Sequence, residues 1–221
     1  MKCMCGRITL RTNLLQIADV FQVPLPGFEI TPRYNVSPGQ LILAVRGAAS
    51  REVVQLRWGL IPSWAKDNKM AFQCLNARSE TVATKPAFRA AYKSRRCLIP
   101  ADGYYEWLRE GKEKLPYLYE LGDGQLFSIA GLWETWRDPA APDAEPLETC
   151  TLLTTSANPL AAEVHDRMPV IIHPEDRAAW LAGEELPLVP FAEQGMTARR
   201  VSQFVNNSRH EGADCTAAPL N

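Results

Sequence analysis

Residues 97–133 read CLIPADGYYEWLREGKEKLPYLYELGDGQLFSIAGLW. Two runs in this stretch, CLIPADGYYEWLRE and LPYLYELGDGQLFSIAGLW, read as strands, and GDG at 122–124 has the composition of a hairpin turn. Upstream, GQLILAVRG (39–47) and REVVQLRWGL (51–60) read as strands joined at the GAAS turn. NLLQIADVF (13–21) has helical spacing with Thr12 or Asn13 as N-cap, and PAFRAAYKS (86–94) is a short helix with Pro86 near its first turn. Downstream, RDPAAPDAEPLE (137–148) is proline-rich and acidic and reads as an exposed loop. TCTLLTTSAN and MPVIIH are strands again. PEDRAAWLAG carries the proline, acids and terminal glycine of a well-marked helix. Strands outnumber helices without regular βαβ alternation. The expectation is an α+β fold: one domain over 1–221 of mostly antiparallel, barrel-like sheet with a few flanking helices.

Composition sets the outer bounds. A chain of 221 residues suits one sizeable core, and 46% hydrophobic with 22% charged residues argues against disorder. A formal net charge of −1 excludes a globally basic nucleic-acid coat but leaves room for a local basic groove. No run of about 18 apolar residues suggests a membrane span. The start lacks the order of a signal peptide, so a cytoplasmic protein is expected. The six cysteines form no CxxC pair, which makes structural zinc improbable, and neither metal nor cofactor is expected. Cys74, Cys97 and Cys150 sit among apolar neighbours and read as small buried hydrophobes.

The opening MKCMCGR is different. Were Cys5 the first residue, it would offer a thiol and an α-amine on adjacent carbons. The amine, with a pKa near 8, would form an imine with an aldehyde, and the thiol would close on it to give a five-membered thiazolidine. Gly6 would let the chain end bend and Arg7 could hold an anion, although CGR alone is a weak signal beside a frayed terminus.

Other segments add candidates. YNVSPG (34–39), containing Pro38, reads as a turn-forming loop able to present backbone groups to a ligand. Trp64, in the Pro-Ser-Trp turn of RWGLIPSW, either packs on a satellite cluster or stacks on a base. In LNARSET, Asn76 suits orienting a sugar hydroxyl or an amine and Arg78 a bidentate grip on phosphate; a local polar network is the alternative. Lys85, Arg89 and Lys93 recur every four residues, with Arg95 and Arg96 behind them, as either a phosphate track or a solvated helix face. Glu106, flanked by aromatics, has the setting of a carboxyl with raised pKa, unless it is bonded structurally to amides. His165 begins HDRMP and suits proton shuttling or a structural role.

Together, CGR (5–7), YNVSPG (34–39), W-G-x-x-P-x-W (58–64), NARxET (76–81), DGYYEW (102–107) and HDRMP (165–169) resemble the SRAP family of SOS-response-associated peptidases, in the family's order and over most of the chain. The resemblance implies a sensor of abasic sites in single-stranded DNA that traps the opened sugar's aldehyde as a thiazolidine crosslink. It implies Cys5 as nucleophile, Asn76 orienting the amine or sugar, Glu106 transferring protons and His165 assisting ring opening. Arg7 and Arg78 would hold phosphates and Trp64 would stack on a base, with Pro38, Lys85 and Arg89 further along the DNA path. The implied partner is single-stranded DNA carrying abasic sites, bound by a monomer that is nucleoid-associated while on DNA.

Two departures stand out. Ala65 follows Trp64 where some members carry a second Trp, and four residues precede Cys5. Translation from Met4 and removal of that Met would expose Cys5, and self-processing before Cys5 is the other route; such removal underlies the family's peptidase name, and the resemblance also implies auto-peptidase and lyase-type activity. A cysteine peptidase using Cys5 and His165 on external peptides, or a non-covalent single-strand binding module, are the rival readings.

Overall fold

The computed structural model describes residues 6–122 and 124–219. In chain order the strands are β1 (Ile8–Leu10), β2 (Arg33–Val36), β3 (Leu41–Arg46), β4 (Glu52–Trp58), β5 (Asn76–Arg78) and β6 (Arg96–Ala101). β7 (Gly103–Glu110), β8 (Glu113–Leu121), β9 (Phe127–Trp136), β10 (Leu147–Ser156), β11 (Arg167–Pro169), β12 (Ile171–Ile172) and β13 (Met196–Arg200) follow. The helices are α1 (Leu14–Phe21), α2 (Arg89–Ser94), α3 (Pro159–Ala162) and α4 (Arg177–Ala182). The fold is the expected one, an α+β arrangement of mostly antiparallel sheet with few helices.

One sheet runs β13-β8-β7-β1-β2, antiparallel throughout. The other closes on itself: β10 pairs with β4, β4 with β3, β3 with β6, β6 with β9, and β9 returns to β10. Closure removes the unpaired edges that an open sheet leaves. Only β4 and β5 run parallel to β10 among these pairings. The ring explains why LILAV and CLI show no polar alternation, because both faces are buried. Along β3, Ile42 and Ala44 join one core cluster while Leu43 and Val45 join the other. In β6, Cys97 and Ile99 separate from Leu98 in the same way. The cluster holding Leu43, Val45 and Leu98 is completed by Ile17 and Phe21 of α1, Ala91 of α2 and Trp180 of α4. The first helix starts where expected, the Asn13 side chain accepting from the Gln16 amide at 3.0 Å.

Two readings of the sequence need correction. The GDG segment does not close a hairpin: β8 pairs with β7 and β13, whereas β9 pairs with β6, β10 and β12. β9 is consumed by the closed ring, so the chain changes sheets there; Asp123 itself lies outside the described residues. The hairpin sits eleven residues earlier, at Gly111–Lys112, where Gly111 has φ of 59°. YNVSPG is a loop only in part, since Tyr34–Val36 belong to β2 and the turn begins at Ser37. The expected loop after β9 is present, with residues 139–145 all exposed.

The run CLIPADGYYEWLRE breaks at Asp102, and this break organises the start of the chain. The Asp102 carboxylate is buried and accepts from Thr9 Oγ1 (2.6 Å), the Arg11 amide (2.5 Å) and Nε (2.9 Å), and the Thr12 amide (2.9 Å) and hydroxyl (3.0 Å). Arg11 also reaches Glu120 at 2.7 Å, which in turn accepts from Arg199 at 3.2 Å. β1 is thereby locked between β2 and β7, although it is only three residues long.

Candidate functional site

β7 sends alternate side chains to opposite faces, so Tyr104 and Glu106 share one. Glu106 is 3% exposed and stands opposite Tyr117 in register. Tyr104 stacks on Tyr119 with ring centroids 4.9 Å apart. Burial first, and then the nearby charge of Glu106, push the Tyr119 phenol well above its ordinary range, so it stays protonated at every physiological pH.

Glu106 lines a cleft of about 590 Å³. Gly6 and Arg7 enter it from the start of the chain, Pro38 from the turn after β2, and His165 from the segment after α3. Four of the sequence-predicted residues, Arg7, Pro38, Glu106 and His165, therefore come together from four separate motifs. Cys5 lies outside the described residues; Gly6 is its covalent neighbour.

Each wall has a physical support. The His165 amide closes onto Ala161 at 3.0 Å, after α3 is capped by Asn158 Oδ1 accepting from the Ala161 amide at 2.8 Å. His165 Nδ1 accepts from the Arg167 amide at 3.1 Å, yet it also lies 3.0 Å from Asp166 Oδ1. The two contacts make opposite demands on Nδ1. Asp166 is 87% exposed, and a neutral ring that accepts the Arg167 amide through Nδ1 carries its proton on Nε2. Arg7 donates through Nη1 to Asn35 Oδ1 and to the Val205 carbonyl at 2.7 Å, and its guanidinium lies 5.4 Å from the Trp107 ring centroid. Asn35, 1% exposed, also donates to the Asn207 (3.0 Å) and His210 (2.6 Å) carbonyls. The polar residue of YNVSPG thus ties Arg7 to the C-terminal segment.

Asn76, Trp64, Arg78, Lys85 and Arg89 are not among the residues lining this cleft. Asn76 and Arg78 lie on β5, which rests on the outer half of β10 through Leu152↔Asn76 and Thr154↔Arg78. The same half of β10 carries β11, and Arg167 crosses to Glu80 with both Nη atoms while donating to the Thr154 carbonyl at 2.7 Å. That guanidinium holds the Glu80 carboxyl below its ordinary range. NARSET and HDRMP are therefore fastened together, with His165 as their contribution to the cleft.

Trp64 is 60% exposed, its neighbour Ala65 being buried and accepting from Trp136 Nε1 at 2.8 Å. Packing on a satellite cluster falls to Ala65 rather than to Trp64. Lys85, Arg89 and Lys93 are exposed, but α2 begins only at Arg89. The track does not continue into Arg95 and Arg96. Arg95 pairs with Glu134 at 2.7 Å, and Arg96 is buried between Tyr92 (4.3 Å) and Trp180 (4.5 Å) while donating to the Tyr92 and Glu184 carbonyls. Sequence reasoning missed Asp102 and Asn35 as hubs. Their signal was present in DGYYEW and YNVSPG, but a short polar residue in a turn looks the same whether it is solvated or buried.

The cysteines expected to be small hydrophobes are buried, as is Cys215. Burial pushes the Cys74, Cys97 and Cys150 thiols up and raises Cys215 to about 11. A disulfide-exchange thiol reagent at pH 8 is expected to modify none of these four in the folded protein and all of them in denaturant. Peptide mapping by mass spectrometry checks this; rapid native labelling of any of the four would contradict the burial argument.

Comparison with known proteins places this geometry among relatives. The family model described as SOS response associated peptidase (SRAP) matches residues 4–208. The abasic site processing protein YoqW of Bacillus subtilis is 40% identical over 222 residues, covering 96% of this chain and 98% of that one. The abasic site processing protein HMCES of Xenopus tropicalis is 30% identical, over 85% of this chain and 66% of that protein. A crystal structure of a Bacteroides thetaiotaomicron protein superposes with a TM-score of 0.83 at 26% identity, covering 98% of this chain and all of that one.

Proposed function

The chain belongs to the SOS response associated peptidase (SRAP) family, and from that membership we propose that it processes abasic sites in single-stranded DNA by forming a covalent adduct through Cys5. The observation that carries the reading is the cleft: Gly6, the neighbour of Cys5, shares it with a buried carboxylate and a histidine from distant parts of the chain.

An abasic site in its open form presents an aldehyde. The α-amine of Cys5, as first residue, attacks the aldehyde carbon, and the resulting carbinolamine loses its hydroxyl as water to give an imine. The thiol then adds to the imine carbon, its proton passing to nitrogen, and the thiazolidine ring closes. One water leaves in all, and no oxidant or metal is needed for the balance. Glu106 donates the proton to the departing hydroxyl and takes one back on the reverse path. His165 assists opening of the sugar ring, and Asn76 orients the amine or the opened sugar. Arg7, Arg78, Lys85 and Arg89 attract backbone phosphates, Pro38 shapes the rim, and Trp64 offers an exposed ring for a base. Self-processing before Cys5, and lyase-type reversal of the adduct, use the same groups.

The test is incubation with an oligonucleotide carrying one abasic site, followed by a denaturing gel after heating. A heat-stable adduct is expected with the aldehyde form and none after borohydride has reduced the aldehyde to an alcohol. Peptide cleavage without an adduct would instead establish a cysteine peptidase, and salt-sensitive binding alone a non-covalent module. Within the proposed mechanism, Glu106→Gln is expected to slow adduct formation about a hundredfold. Its affinity for intact single strands should be unchanged; an equal loss in both would assign Glu106 to binding.

A further inference from the structure

The β7–β8 hairpin carries a pattern that its own stability does not explain. Arg109 stands directly opposite Lys114, a like-charge pair across an antiparallel ladder, which is an unfavourable arrangement. The next pair outward is Glu110 opposite Glu113. Successive pairs face opposite sides of the sheet, so the hairpin sorts its charges by face rather than cancelling them. The cationic pair is on the face that carries Trp107, opposite to the Glu106 face, and both cations line the cleft that Glu106 and His165 also line.

Three other arginines of this sheet and its flanks have acids: Arg11 pairs with Asp102 and Glu120, Arg33 with Glu211, and Arg199 with Glu120. Among the described residues, neither Arg109 nor Lys114 has an ion-pair partner within 4.0 Å. Their base is nonetheless held in place. Trp107 Nε1 donates to Asn206 Oδ1 at 2.6 Å, and Asn206 Nδ2 donates to the Lys114 carbonyl at 3.1 Å. Two cations are thus presented on a braced ribbon, at the mouth of the cleft, with their repulsion uncompensated.

We propose that Arg109 and Lys114 form a phosphodiester-binding fork that holds the backbone of single-stranded DNA at the hairpin end of the cleft. A phosphate seated between them replaces their mutual repulsion with two attractions, one of them able to be bidentate. This deepens the proposed function and rests on it. It supplies phosphate contacts from residues that, unlike Asn76 and Arg78, line the cleft itself.

The test uses a fluorescent single strand with intact bases, so that no adduct forms, titrated at several KCl concentrations. Each lost phosphate contact lowers the slope of log K against log salt by about 0.7 for single strands. Arg109→Gln with Lys114→Gln is expected to lower the slope by about 1.4, with affinity at low salt falling at least tenfold. Arg137→Gln, in the exposed loop after β9, should leave both unchanged. The urea midpoint of the free double variant is expected to equal or exceed that of the parent, since a repulsion has been removed. An unchanged slope in the double variant overturns the fork and leaves the DNA reading intact. A lowered midpoint would make the pair structural and also overturn it. If the parent chain binds no single-stranded DNA at all, it is the functional reading that fails.

Discussion

Cys5→Ala protein is expected to bind abasic single-stranded DNA as tightly as the parent chain and to give no heat-stable adduct with it. The reason lies in the two-step chemistry. Alanine as first residue keeps the α-amine, so an imine still forms, but an imine hydrolyses on heating because no second nucleophile closes the ring. None of the described cysteines can substitute: Cys74, Cys97, Cys150 and Cys215 are buried, with thiols held protonated. Borohydride added during the reaction should therefore trap Cys5→Ala on DNA, while the parent chain needs no reductant. Intact mass belongs in the same experiment, since a chain that retains Met1 has no amine on Cys5. If Cys5→Ala crosslinks without reductant at the parent rate, the thiazolidine proposal is wrong.

Asp102→Ala is expected to cost about 3–5 kcal/mol of folding stability, the range for removing one partner of a buried ion pair. For a chain of this size that corresponds to a fall in melting temperature of roughly 6–20 °C. The loss exceeds that of one salt bridge because five donors from Thr9, Arg11 and Thr12 converge on this carboxylate. Arg11 would keep Glu120 at 2.7 Å, but the Arg11 and Thr12 amides would lose their acceptor. Asp102→Asn does not restore them, since its amide group would direct donors at donors. Calorimetry measures the effect. A shift of less than about 2 °C would show that the ladder hydrogen bonds of β1 suffice without the hub. Below the transition, Asp102→Ala should also trap abasic sites more slowly, because the strand leading back to Cys5 has lost its anchor.

Much of the fold was readable from pattern. Asn13 announced the first helix, and PEDRAAWLAG the last, because caps and glycine stops act locally. LILAV and CLI were identifiable as strands, although nothing within them says that they close a ring. The short strands β1 and β5 escaped notice: three residues carry no periodicity, and their partners lie 23 or more residues away. GDG was misread for a related reason. A turn composition says that the chain reverses, not which sheet receives the next strand, and that choice is made by β6 and β10, which pair with β9 on its two edges. The cationic stripe failed at Arg96 because burial against Tyr92 and Trp180 depends on tertiary packing, which charge spacing does not reveal.

For the site, the sequence by itself determined the chemistry on offer: an early cysteine followed by Gly-Arg, a carboxyl among aromatic residues, a histidine in a turn, and family membership through their order. Those are properties of residue type and local context. The tertiary structure decided which of them share a cleft, that Asn35 and Asp102 hold it together, and that Arg109 and Lys114 stand at its mouth. Such facts depend on strand register. A one-residue slip in β7 or β8 would turn Glu106 or the cation pair to the opposite face, and register is set by the cooperative packing of the whole molecule.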